Sequence, residues 1–161
     1  MDNKDRVAIA ADHGGWHLKE TLKPFLKGMG YKYTDLGTSS EESVDYPDFA
    51  LVLAEAVRAG KYKKGILICG TGLGMSMSAN KVPNIRAALC NDVFTAKMSR
   101  EHNDANILTI GGRVVKEELA KEIAKVWLQT KFSNAPRHKQ RIKKIKEIES
   151  KYMGTSKKQY E

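Results

Sequence analysis

Apolar runs of strand character alternate along this chain with amphipathic stretches of helical period, and each run closes in a turn rich in Gly, Asp or Asn. That alternation constrains the fold more than any other feature, because parallel strands need a crossover of a dozen or more residues and helices of this length supply it. The strands are read at 6–11, 31–36, 65–69, 86–90 and 106–111. Between and after them, helices are read at 16–27, at 47–58, from the glycine loop to residue 80, and at 92–101, 116–130 and 137–152. Pro47 suits a first helical turn, where its locked φ is already correct. Pro24 falls inside a helical stretch, where it is expected to cost about 3 kcal/mol or kink the helix.

The runs VAIAA, GILIC and RAALC suit central parallel strands buried on both faces. The expectation is an α/β fold: a three-layer, Rossmann-like open sheet of five parallel strands flanked by helices, with a C-terminal helix that extends from it. A chain of 161 residues fits one domain; it is read over 1–152, with 137–152 as the extending helix and 153–161 as a flexible tail. Ligands in such sheets bind beyond the carboxyl ends of the strands. Those ends carry Asp12-His13, Cys69 with a glycine loop, and Gly111-Gly112-Arg113.

Several function classes are excluded at this stage. No apolar run approaches the ~20 residues of a membrane span, and the acidic, briefly apolar start MDNKDRVAIAADHGG is not that of a signal peptide. Two cysteines, Cys69 and Cys90, are too few for a disulfide framework and lack metal-site spacing. A cytoplasmic protein with free thiols is expected. The net charge of +9 is uneven: from Arg137 onward nine Lys/Arg face three Asp/Glu. Such a tail suits nucleic acid, an acidic membrane surface or a phosphorylated small ligand.

The loop Gly70-Thr71-Gly72-Leu73-Gly74 joins a buried strand to a helix and lets backbone N–H groups turn inward around an anion. It is neither a dinucleotide fingerprint, since Met75 stands where a glycine is needed, nor a P-loop, since Lys-Ser/Thr is missing. It is also compatible with a tight turn and no ligand. Cys69, next to a helix N-terminus that favours the thiolate, is a base, a nucleophile or a buried strand residue; Cys90 has no such loop and is read as core. His102, where a helix ends and a strand begins, is an acid/base group or a C-cap. His13 and His17, four apart, could share a helix face, but no further ligand is near them for a metal. Arg137 and Arg141 are one helical turn apart and can hold a phosphate through forked hydrogen bonds. On the same helix Ile142, Ile145 and Ile148 form a stripe that has to be buried somewhere.

Taken in order, Asp12-His13, Asp45-Tyr46-Pro47, Cys69 with residues 70–74, Ser78-Ala79-Asn80-Lys81, Ser99-Arg100-Glu101-His102-Asn103-Asp104 and Arg137-His138-x-x-Arg141 resemble type B ribose-5-phosphate isomerases across residues 6–150. The resemblance implies interconversion of ribose 5-phosphate and ribulose 5-phosphate through ring opening and an enediolate. It makes Cys69 the base, His102 the ring-opening acid/base and Thr71 a proton shuttle. Backbone groups of Gly70, Gly72, Leu73 and Gly74 would stabilise the oxyanion. Asp12, Tyr46 and Asn103 would bind sugar hydroxyls, and His13, Arg113, Arg137 and Arg141 the phosphate. A second branch of the family lacks the cysteine and carries a glutamate as base at the position of Met75, so this chain resembles the cysteine branch. The resemblance further implies no cofactor or metal, and a homodimer, with a tetramer left open, whose active sites draw residues from both subunits. Six-carbon substrates such as allose or galactose 6-phosphate stay open, as does a non-catalytic phosphate- or nucleotide-binding module; the family reading needs neither nucleic acid nor membrane.

Overall fold

A computed structural model describes residues 6–153; the expected tail at 153–161 lies outside them except for Met153, which is the last residue of the C-terminal helix. In chain order the elements are β1 (Arg6–Ala11), α1 (Trp16–Gly28), β2 (Lys32–Asp35), α2 (Tyr46–Arg58), β3 (Lys64–Cys69), α3 (Leu73–Ala79), β4 (Ala87–Leu89), α4 (Val93–Glu101), β5 (Ile107–Gly111), α5 (Glu117–Gln129) and α6 (Pro136–Met153). The strands form one sheet of order β2-β1-β3-β5-β4, parallel throughout. The expected α/β architecture is therefore present. After β1 the chain moves to one side to place β2 and returns to the other side to place β3. The order thus reverses between β1 and β3, where open α/β sheets form their ligand crevice.

Alternation along the central strands sends side chains to two cores. Val7, Ile9, Ile66, Ile68, Leu108 and Ile110 pack with Leu18, Leu22 and Leu26 of α1 and with Ile123 and Trp127 of α5. Ala8, Ala10, Leu67, Cys69 and Ile107 face Leu53 and Val57 of α2 and Met75 of α3. The sheet is covered on both sides, as the near-continuous apolar runs require.

Differences from the sequence reading are local. The two edge strands are shorter than read, β2 ending at Asp35 and β4 covering Ala87–Leu89. An edge strand has one ladder partner, and its ends turn to other acceptors: the Arg86 N–H donates to the Asn106 side chain at 2.8 Å. Pro24 is inside α1, which continues to Gly28, so the Glu20 carbonyl receives no N–H from it. Among the described residues the isoleucine stripe is not buried: Ile145 is 44% and Ile148 61% exposed. α6 is instead fastened at its flanks, by His138 to Ser133 and by the Glu149 carboxylate accepting the Asn84 N–H at 2.8 Å.

Candidate active site

The carboxyl ends of β1, β3 and β5 meet around Cys69. Its side chain is buried, and Sγ accepts the Gly72 N–H at 3.1 Å. The Cys69 carbonyl accepts the Gly112 N–H at 2.8 Å and the Gly70 carbonyl accepts that of Arg113 at 3.0 Å, so the loop after β5 is laced to the loop after β3. Gly72 has φ +77, and a Cβ there would lie 2.5 Å from Leu89 Cδ1, so both its conformation and its surroundings require glycine. Thr71 Oγ1 accepts the Leu73 N–H at 3.3 Å, and the Leu73 side chain stands exposed at the mouth.

Asp12 is buried, and its Oδ1 accepts the Gly15 N–H at 3.0 Å, which holds the carboxylate at the end of β1. Gly14 abuts the Gly70 backbone, and the Arg113 guanidinium borders Gly70 as well. The Tyr46 ring lies against Gly74. His13 Nδ1 accepts the Val44 N–H at 3.2 Å, so its ring proton is on Nε2 and the loop 37–45 is drawn to the strand end. His13 precedes α1 and shares no helix face with His17, which pairs with Glu117 at 3.0 Å.

The remaining candidate residues form a second cluster. His102 caps the C-terminal end of α4. Asn103 and Asp104 turn the chain toward β5, with Asp104 at φ +45, a conformation that Asp tolerates. Arg86 Nε donates to the Asn103 carbonyl at 2.9 Å, and Arg100 Nη1 to Asp104 Oδ1 at 2.8 Å. The His102 ring stacks on that of His138, centroids 4.2 Å apart. Arg137 Nε donates to His138 Nε2 at 3.3 Å. Burial, then the charges of His102, Arg137 and Arg141, push the His138 pKa below the usual histidine range, with Glu101 opposing.

The two clusters lie at opposite ends of the sheet. Cys69 pairs with Gly111, the last residue of β5, whereas His102 and Asn103 precede its first residue, Ile107. A strand of this length spans about 16 Å. One chain therefore assembles Asp12, His13, Tyr46, Cys69, the loop 70–74 and Arg113 in one place, and His102, Asn103 and Arg137 in another, with Arg141 one helical turn beyond.

Three residues of the second cluster escaped the sequence reading of roles: Arg86, Arg100 and His138. His138 had a signal, its place between Arg137 and Arg141 in the matched motif. Arg86 acts through bonds to the Asn103 and Asp104 carbonyls, distant in sequence, which leave no local pattern; Arg100 bonds locally, to the Asp104 carboxylate and the Ala105 carbonyl. Among the described residues no group of three or more His, Cys, Asp or Glu is placed to hold a metal ion, and no helix is long and apolar enough to cross a membrane.

Comparison with known proteins adds a consistent set of likenesses. The sequence profile described as Ribose/Galactose Isomerase matches residues 7–145. The solved structure of Clostridium thermocellum ribose-5-phosphate isomerase B is 55% identical, with a TM-score of 0.89 over 91% of this chain and 99% of that one. Escherichia coli ribose-5-phosphate isomerase B is 44% identical over 89% of this chain and 96% of its own length. The D-erythrulose-4-phosphate isomerase of Pectobacterium atrosepticum is also 44% identical, over 78% of this chain and 84% of its own.

Proposed function

The chain belongs to the ribose/galactose isomerase family, and we propose that it interconverts ribose 5-phosphate and ribulose 5-phosphate with Cys69 as the base. The observation that carries this reading is the Cys69 sulfur, buried at the topological switch point and already accepting a backbone N–H from the loop that follows it. A thiolate at that point faces both the proton to be moved and the donors that meet the resulting charge.

The furanose ring opens first: His102 accepts the proton of the anomeric hydroxyl and returns one to the ring oxygen. In the open-chain aldehyde, Cys69 removes the C2 proton. The C2–H electron pair becomes the C1–C2 double bond, and the carbonyl pair moves onto O1. The enediolate oxyanion is met by N–H groups of residues 70–74, fixed before the reaction begins. The O2 proton passes to O1 by way of Thr71, Cys69 returns its proton to C1, and the ketone stands at C2 with the sulfur restored. Asp12, Tyr46 and Asn103 hold hydroxyls; His13, Arg113, Arg137 and Arg141 hold the phosphate.

Because Cys69 and His102 sit at opposite ends of one sheet, this chemistry needs a second copy to bring His102, Asn103, Arg137 and Arg141 to the Cys69 loop. The reading is therefore a homodimer with two shared sites. It is supported by apolar side chains left exposed on the outer faces of α2 and α3, namely Leu51, Val52 and Met77, and by Ile145 and Ile148 on α6. The free thiols of Cys69 and Cys90 suit the reducing cytoplasm.

The test is conversion of ribose 5-phosphate by the purified protein in chelator, with Cys69→Ala alongside. Robust conversion that collapses in the folded variant is the expected result. Unchanged activity in the variant overturns Cys69 as base. An inactive wild type overturns the substrate; allose and galactose 6-phosphate are then assayed, and salt-dependent RNA binding tests the non-catalytic alternative.

A further inference from the structure

His138 is the one buried residue of an otherwise solvated helix, at 3% exposure, and both of its ring nitrogens are engaged. The Arg137 guanidinium can only donate. Its Nε–H points at His138 Nε2, 3.3 Å away, so Nε2 presents a lone pair and the ring proton is on Nδ1. That proton goes to Ser133 Oγ at 2.6 Å. Ser133 is itself pinned: its N–H donates to the Glu101 carbonyl at 3.0 Å, and its Oγ also accepts the Ala135 N–H at 3.2 Å. A continuous path thus runs from the end of α4, through Ser133 and His138, to Arg137. The His138 ring also stacks on His102, tilted 36° at 4.2 Å.

We propose that His138 is a positioning residue, which locks the His102 imidazole and the Arg137 guanidinium into one rigid unit so that ring opening and phosphate binding act on the same substrate. This rests on the roles given above to His102 and Arg137. A histidine is suited to the task in a way other rings are not. Its stack fixes the plane of His102, its lone pair orients an arginine, and its N–H anchors it to the α4 terminus. The arrangement requires one tautomer and no charge. A second proton would put an N–H against that of Arg137 and a cation among His102, Arg137 and Arg141, with Glu101 as the one opposing charge.

Two variants separate the functions. His138→Phe keeps a ring against His102 but removes the acceptor of Arg137. The expected result is inorganic phosphate binding about tenfold weaker and a KM raised by a similar factor, the scale of one lost hydrogen bond to a charged group, with kcat changed less. His138→Gln offers an amide oxygen to Arg137 and an N–H to Ser133 but no ring, so phosphate affinity and KM are expected to recover while kcat falls and its pH profile shifts. Nitrogen-15 NMR of the wild type is expected to show His138 as the Nδ1–H tautomer at neutral pH and to lower pH than a free histidine would hold it. Parallel losses of kcat and KM that track melting temperature in both variants would reduce His138 to a structural residue. Wild-type kinetics in both, or a His138 that titrates like a free histidine, would overturn the proposal outright. Phosphate binding and the tautomer are read without turnover, so an inactive wild type would remove the isomerase reading and leave these two results to judge the coupling of His138 to Arg137.

Discussion

The Tyr46 ring rests so closely against the backbone of Gly74 that a methyl group added there would lie 2.5 Å from ring carbons Cε2 and Cζ. One residue opens α2 and the other sits in the first turn of α3, so this contact joins the Asp45-Tyr46-Pro47 motif to the glycine loop.

Gly74→Ala is expected to displace the ring, not to unfold the protein. Tyr46 is 40% exposed and can swing into solvent, and alanine is the better helix former, so the loss of stability is expected to stay near 1 kcal/mol. The sugar contact proposed for Tyr46 would go with the ring. Steady-state kinetics are expected to show KM raised about tenfold, the loss of one hydrogen bond, with a melting temperature within a few degrees of wild type. A wild-type KM would remove Tyr46 from the substrate site.

Lys64 begins β3 at the end of the sheet remote from Cys69, donates to the Leu128 carbonyl at 2.7 Å and lies 5.5 Å from the Trp127 ring centroid. Burial first, then the Arg100 guanidinium, depress its pKa from 10.5 to about 8, against the pull of Asp104. Between these two values the unfolded chain binds more protons than the folded one, so this group adds stability as pH rises through the window; below about pH 8 both states are charged and the full cost of burying the ammonium stands. Part of the side chain reaches solvent, which reduces the effect. Chemical denaturation of wild type and Lys64→Met is expected to shift the difference between them by about 1 kcal/mol in favour of wild type from about pH 7 to about pH 9.5. A difference independent of pH would mean that the folded ammonium is no harder to hold than a free one.

The elements that carry Cys69 were legible because several local signals agree there: a continuous apolar run, three glycines in five residues, and a helical pattern after them. The β/α alternation also fixed the direction of α4, and so the end of the sheet at which His102 falls. What stayed hidden depends on groups distant in sequence. Lys19 lies three residues before Leu22 and seven before Leu26, on their face of α1, where a lysine is expected to reach out to solvent; it is 1% exposed because Asp35 and the Thr38 carbonyl meet its ammonium. Arg86 shapes the turn after His102 through the Asn103 and Asp104 carbonyls, brought near by the sheet. The isoleucines of α6 are a different case: periodicity marks them as buried, and the described residues of one chain supply nothing to bury Ile145 and Ile148.

That unsatisfied stripe and the separation of Cys69 from His102 lead to an arithmetic test of shared sites. Cys69→Ala and His102→Asn are each expected to be nearly inactive as homodimers, since every site lacks one of the two groups. When the two variants are mixed, unfolded and refolded together, about half of the dimers are mixed. In each of those, one site receives Cys69 from one copy and His102 from the other while the second site receives neither, so recovery of about a quarter of wild-type activity is expected. Sites built within one chain would give no recovery, because no chain in the mixture carries both residues. Size exclusion of the refolded material identifies the dimer fraction to which the activity is referred. A monomer that retains full wild-type activity would overturn the shared site regardless of the mixing result.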